Sequence, residues 1–251
     1  MTPISVQLYS LREASEKDFD QVLEDVAAIG YAGVEPFNLF GRTPAEFRAR
    51  VEGLGMTISS SHTPWANRSP LDEVVETLGE LGLTRAIGGF MPDDFADMDA
   101  VRRTADTCQD LIDRLRPQGI ELAIHNHWWE FNVMDGRPAL HHLAEMVPDL
   151  RYELDTYWAA NFGACDPAAE LARIRSRAPL LHIKDGPLEK KQPMVAAGQG
   201  KMQISEIVAA AEPETLEWLI VELDACATDM LTAVRESYEY LTSEGLAEGR
   251  K

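Results

Sequence analysis

Short β-rich runs alternate with stretches of helical periodicity eight times along this chain, with no linker between them. The runs cover residues 4–9, 31–36, 55–62, 84–88, 119–124, 150–155, 179–184 and 217–222. Between the first two, Phe19, Val22, Leu23, Val26 and Ile29 recur at helical spacing, and Gly30 stands where that helix should end. Thr43-Pro44, Ser69-Pro70 and Asp166-Pro167 have the cap-then-proline order that opens a helix, and Pro117 closes the long pattern from Val101 to Leu115. Strands that alternate with helices imply βαβ units with parallel pairing. Eight such units in 251 residues have the size and rhythm of one α/β fold, the (β/α)8 TIM barrel, expected as a single domain over 1–251. An open doubly wound sheet is the competing arrangement. Its Gly-x-Gly-x-x-Gly fingerprint is missing after the first run, where Gln7-Leu-Tyr-Ser-Leu11 stands.

The charge balance narrows the partners. A net charge of −19 repels phosphate backbones and anionic lipid, so neither nucleic acid nor a membrane surface is expected as a partner. The N-terminus has no basic start and no long apolar run, which argues against a signal peptide or membrane anchor. Cys108, Cys165 and Cys226 are odd in number and far apart, as expected of separate thiols in a cytoplasmic protein. The sequence does not exclude a homo-oligomer.

One stretch concentrates chemistry. After the apolar run ending at Ile124 come His125-Asn126-His127-Trp128-Trp129-Glu130-Phe131, two imidazoles, an amide and a carboxylate at the end of a core strand. Burying such groups without partners costs free energy, so they need hydrogen bonds, a metal or solvent. Other strand ends carry similar residue types: Glu35, His62, Asp155, His182 with Lys184, and Glu222, while Tyr9 follows the first strand. In a TIM barrel the active site lies at these C-terminal ends. Carboxylates with imidazole suit a divalent ion such as Mn²⁺, Mg²⁺, Co²⁺ or Zn²⁺. Structural zinc would be expected to bring thiolates, and no cysteine stands at these ends.

These residues also carry a family likeness. Gly33-Val-Glu-Pro36, Ser60-Ser-His62, the His125–Phe131 stretch, Glu153-Leu-Asp-Thr-Tyr-Trp158, Leu181-His-Ile-Lys-Asp185, Gly198-Gln-Gly200 and Ile220-Val-Glu-Leu-Asp224 follow in order along nearly the whole chain. The sequence resembles the sugar phosphate isomerase/epimerase family with its xylose isomerase-like barrel. That resemblance implies metal ligands at Asp155, His182 and Glu222, with Glu130 as the fourth, and Mn²⁺ as the leading ion. In the epimerases the fourth glutamate lies within strand five, where this chain has His125 or Asn126. Relatives often hold a glutamate between the glycines of the Gly-x-Gly loop, where Gln199 stands here. As a phosphate cradle that lone loop is a weak signal.

The implied reaction is an isomerisation or epimerisation of a sugar, keto-sugar or cyclitol. A proton next to a carbonyl is removed and returned, and the metal stabilises the enediolate. The resemblance gives the proton transfers to Glu130 and Glu222. Glu35, His62, His127 and Lys184 would contact the substrate, with Trp128, Trp129, Tyr157 and Trp158 walling its apolar face. A lyase that loses a β-substituent after the same proton removal is the alternative, and a barrel that binds sugar without turnover is a third reading. Deoxyribose-site endonucleases share the fold but need a multi-metal site and a basic groove, which a chain at −19 lacks. If strand five runs to His127, both His125 and His127 face inward and a turn at Trp128-Trp129 swings Glu130 back toward the ion.

Overall fold

Every β-rich run becomes a strand of one parallel sheet in the computed structural model, which describes residues 1–250. The strands are β1 (Ile4–Gln7), β2 (Gly33–Glu35), β3 (Thr57–Ile58), β4 (Arg85–Gly89), β5 (Glu121–His125), β6 (Arg151–Asp155), β7 (Leu180–Ile183) and β8 (Trp218–Val221). The main helices follow them in turn: α1 (Phe19–Ile29), α2 (Pro44–Gly53), α3 (Leu71–Leu81), α4 (Met98–Leu115), α5 (Ala139–Met146), α6 (Pro167–Ile174), α7 (Ile204–Ala210) and α8 (Met230–Ser243). The fold is a (β/α)8 barrel.

Local chemistry sets the helix ends. Asp18 caps α1 by accepting from Gln21 N at 3.0 Å, and Gly30, at φ 115°, ends it in a conformation that side chains with a Cβ avoid. Thr43 and Glu46 form a reciprocal capping box at α2, with Pro44 in the first turn. The helices bury one face each against the outer surface of the strands. In α4 that face is Val101, Ala105, Cys108, Leu111, Ile112 and Leu115.

The sheet runs in the order β3-β2-β1-β8-β7-β6-β5-β4, so β1 pairs with β8 in register Ile4↔Leu219 and Val6↔Val221. β3 and β4 stand at its two ends. The chain after β3 bridges them: Ser59 N and His62 N donate to Val34 O and Pro36 O on one side, at 3.0 and 2.9 Å. On the other side Ala66 N donates to Ile87 O at 2.8 Å, and the Asn67 amide bonds Gly89 in both directions. Inside the ring, Ile87, Ala123, Leu180 and Ile220 pack into an apolar plug. Above that plug the inward positions turn polar.

Two features depart from the expected elements. β1 stops at Gln7, whose side chain accepts from Tyr9 N, and the chain enters a 3₁₀ turn over Leu8–Leu11. A small hairpin pairs Val133–Met134 with Arg137–Pro138 after strand five, and His142 reaches its Met134 carbonyl at 2.9 Å. Among the described residues no helix is long and apolar enough to cross a membrane, and the three cysteines are free thiols.

Candidate active site

Alternation along the strands aims Gln7, Glu35, His125, Glu153, Asp155, His182, Lys184 and Glu222 at one end of the barrel axis. All are at most 4% exposed. They form two tiers. In the upper tier the Lys184 ammonium lies 2.9 Å from Asp155, 2.8 Å from Glu222 and 2.7 Å from Asp224, and His182 Nδ1 is 2.8 Å from Glu222 Oε2. In the lower tier Glu35 Oε2 accepts from Gln7 at 2.6 Å and lies 2.9 Å from His182 Nε2. Glu153 Oε2 meets His62 Nε2 at 2.5 Å and His125 Nδ1 at 3.3 Å.

Burial and mutual charge decide the protonation states. Burial alone would lower His182, but the Glu35 and Glu153 carboxylates hold it well above its usual value, and His62 is raised by the same pair. Burial would raise Glu153 and Glu222. His62 and His182 hold Glu153 well below its usual value, and Lys184 and His182 do the same for Glu222. Burial lifts Asp155 to about 6 despite Lys184, and Glu35 is raised by burial and by Glu153. Burial, with Lys184 nearby, pushes His127 down to about 3.

The donor set fits a divalent ion. One donor atom from each of His125, Asp155, His182 and Glu222 can be chosen so that all lie within 4.8 Å of one another, and the same holds for His62, His125, Glu153 and His182. A neutral imidazole offers a single lone pair, so two sets sharing His125 and His182 cannot both be filled. Histidine ligands characteristically rest their second nitrogen on a carboxylate, and the lower tier supplies one beneath each ring of the upper set. Glu35 Oε1 and Glu153 Oε1 are buried with no hydrogen-bond partner among the described residues.

A cavity of about 240 Å³ opens above this cluster, lined by Tyr9, Phe37, His62, Trp65, His125, His127, Glu222 and Asp224. It is smaller than the roughly 300–1,000 Å³ of drug-sized ligand sites, which suits a small molecule. Grooves of about 650 and 720 Å³ run elsewhere, past Arg12 and Cys226 and past Arg116 and Arg177, without a buried titratable cluster.

The structure brings Glu35, His62, Asp155, His182, Lys184 and Glu222 together. His127 lines the cavity, stacked on Trp129 at 4.3 Å. Glu130 belongs to neither candidate ligand set, although it lies near enough to Asp155 for burial to be joined by that carboxylate in raising it. Strand five ends at His125, and the following turn is a 3₁₀ segment in which Glu130 Oε2 accepts from His127 N at 3.0 Å. Burial raises that carboxyl to about 8 against the backbone N–H groups of Glu130 and His127. Tyr157 is buried beneath the loop after β7, its hydroxyl accepting from Leu188 N, while Trp128 and Trp158 form a half-buried wall with Phe162.

Several contributors escaped the sequence reading. Asn126 bonds both backbone groups of Asp155, at 2.9 and 3.1 Å, and fastens the end of β5 to that of β6. Glu153 lies two residues before Asp155 on the same face, a period-two signal present in the sequence. Phe37 and Trp65 each follow a strand-end residue, Glu35 and His62, by two or three positions. The Gly198-Gln-Gly200 loop does not offer its N–H groups to a phosphate. Asp185 already accepts from Gly186, Gly198, Gly200 and Met202 at 2.8 to 3.0 Å.

Comparison with known proteins agrees with the fold. A sugar phosphate isomerase/epimerase from Parabacteroides distasonis superposes with a TM-score of 0.79 at 22% identity, covering 98% of this chain and 96% of that one. A probable 3-DHS dehydratase from Bacillus anthracis gives 0.71 at 13% identity, over 96% and 99% of the two chains. At these identities the likeness is one of fold. An inosose dehydratase from Geobacillus kaustophilus is 28% identical over 198 residues, 66% of this chain and 61% of that protein's length. The sequence model of the xylose isomerase-like TIM barrels matches residues 23–244, and the chain belongs to that family.

Proposed function

We propose that this chain is a divalent-metal-dependent isomerase or epimerase of a sugar, keto-sugar or cyclitol. The observation that carries the reading is the convergence of His125, Asp155, His182 and Glu222 beneath a small cavity. In this reading those four hold the ion, with Mn²⁺ as the leading candidate, and His125 takes the strand-five place that the family likeness suggested for Glu130. The bound ion supplies Lewis-acid stabilisation of the negative charge that grows on substrate oxygen as the neighbouring carbon loses its proton.

The protein's own groups do the rest. The Lys184 ammonium, 2.8 Å away, keeps Glu222 ionised, so it can accept the proton. His62 stands three strands away around the ring and is kept protonated by Glu35 and Glu153, so it can return a proton from the other wall. Tyr9, Phe37 and Trp65 offer apolar faces to the carbon skeleton, and Asp224 and His127 offer polar contacts to hydroxyls. Glu130 serves in this reading as a buried cap of its own loop.

A second reading, elimination of water after the same proton removal, is favoured by the 28% identity to an inosose dehydratase. There Glu222 takes the carbon-bound proton and the β-hydroxyl leaves as water with the proton of His62. A panel of keto-sugars and inososes, incubated with Mn²⁺ in D₂O, separates the two. Deuterium beside the carbonyl of an isomer supports the first, and an unsaturated product supports the second. A nicotinamide requirement with hydride transfer would sink both.

A further inference from the structure

The lower tier contains a group that neither the ion nor the cavity demands. Glu153 is wholly buried, and no lysine or arginine ammonium or guanidinium pairs with it among the described residues. A buried carboxylate is costly, and an apolar side chain would fill the same place more cheaply. Three imidazoles converge on its Oε2: His62 Nε2 at 2.5 Å, His125 Nδ1 at 3.3 Å and His182 Nε2 at 3.5 Å. His182 Nε2 has a nearer carboxylate in Glu35, at 2.9 Å. The two lower carboxylates therefore divide the rings, Glu35 beneath His182 and Glu153 beneath His62 and His125.

We propose that Glu153 is a positioning residue whose one oxygen fixes which ring nitrogen both His62 and His125 present to the site. His125 Nδ1 faces Glu153 Oε2 at 3.3 Å without yet making an aligned hydrogen bond; a proton on Nδ1 there leaves the lone pair on Nε2, the nitrogen that lies 4.0 Å from Asp155 Oδ2. His62 is held between Glu153 and the Trp65 ring, 4.3 Å away by centroid, and lines the cavity. One carboxylate thus sets a ligand and a substrate-facing imidazole together. This rests on the assignment of the ion to His125, Asp155, His182 and Glu222.

The test is a double-mutant cycle read by Co²⁺ titration of the metal-free protein, following the visible absorption of the bound ion. Loss of an outer partner of a histidine ligand characteristically weakens metal affinity about 10–100-fold. Glu153→Gln is expected to do so in the native background, because an amide presents only one accepting atom and adds N–H donors. In a His125→Gln background, where affinity is already low, the same change is expected to cost less than about threefold. Glu153→Asp keeps the charge but withdraws the oxygen, and is expected to weaken binding as Glu153→Gln does. It carries the test if the amide variant does not fold.

An equal loss in both backgrounds would mean that Glu153 acts through its charge alone, and would overturn the proposal. So would native affinity in Glu153→Asp. If the native protein takes up no Co²⁺, the ion assignment falls first and this inference falls with it.

Discussion

Replacing Glu130 by glutamine should change how stability depends on pH while leaving the ion almost untouched. Burial raises the Glu130 carboxyl from an ordinary 4.5 to about 8. Between those values the folded chain keeps a proton that the unfolded chain has released, so the stability of the fold falls as pH rises. The slope is about 1.4 kcal/mol per pH unit, and the whole window is worth roughly 5 kcal/mol, complete above pH 8. Glutamine keeps an oxygen for His127 N and never ionises, but its NH₂ group loses water, at a pH-independent cost of about 1–3 kcal/mol. Glu130→Gln is therefore expected to be equal to or weaker than the native protein at pH 5. At pH 8.5 it should be stronger by about 2–4 kcal/mol, the titration window less the amide's cost. Urea unfolding of both proteins with EDTA present, from pH 5 to pH 9, measures the difference directly. Parallel stability curves would refute the burial argument. A drop of tenfold or more in Mn²⁺ affinity would return Glu130 to the ion.

Three further outcomes follow from the same geometry. Saturating Mn²⁺ should raise the unfolding free energy by about 2.7 kcal/mol at a hundredfold excess over Kd, and Asp155→Asn should remove most of that gain while the apo barrel still folds; differential scanning calorimetry with and without chelator decides it. Lys184→Met leaves Asp155, Glu222 and Asp224 facing one another, so the metal-free protein should lose about 3–5 kcal/mol, partly recovered by Mn²⁺; equal losses with and without the ion would contradict the contact. A Cβ at Gly200 would stand 2.0 Å from Asp185 Oδ1 and 2.4 Å from Gly186 N, so Gly200→Ala should cost about 1–3 kcal/mol and speed proteolysis of the loop, with ion affinity unchanged.

The barrel was legible because its signals are local. Period-two runs and 3.6-residue faces repeat along the chain, and strand-end residues reach the axis once the strands close. Asp155, His182 and Glu222 meet for that reason. That His125 rather than Glu130 lies within donor distance of those three was not legible, since it depends on where β5 stops. That point is where Asn126 gives its amide to the backbone of Asp155, 29 residues away in sequence. Glu35 and Glu153 carry a related lesson. Composition treats a glutamate as a surface residue, and only tertiary packing decides that these two lie beneath imidazoles. Nothing local singles out Asp185, whose oxygens hold the glycine loop from 13 to 17 residues away.

The pairing of β1 with β8 bears on how the chain reaches its native state. Ile4 lies beside Leu219, so the first and last strands join only after the intervening 214 residues have been arranged, and such distant contacts form late. Gln7 and Glu222 come from those two strands, so no fragment lacking either end contains the complete constellation. The four proposed ion ligands, by contrast, all come from β5 to β8, which are neighbours in the sheet, so ion uptake reports the assembly of that half and can precede ring closure. In refolding with Co²⁺ present, helical signal should appear early, and the visible spectrum of the coordinated ion should develop with the β5–β8 half, ahead of the slowest phase in which β1 joins β8.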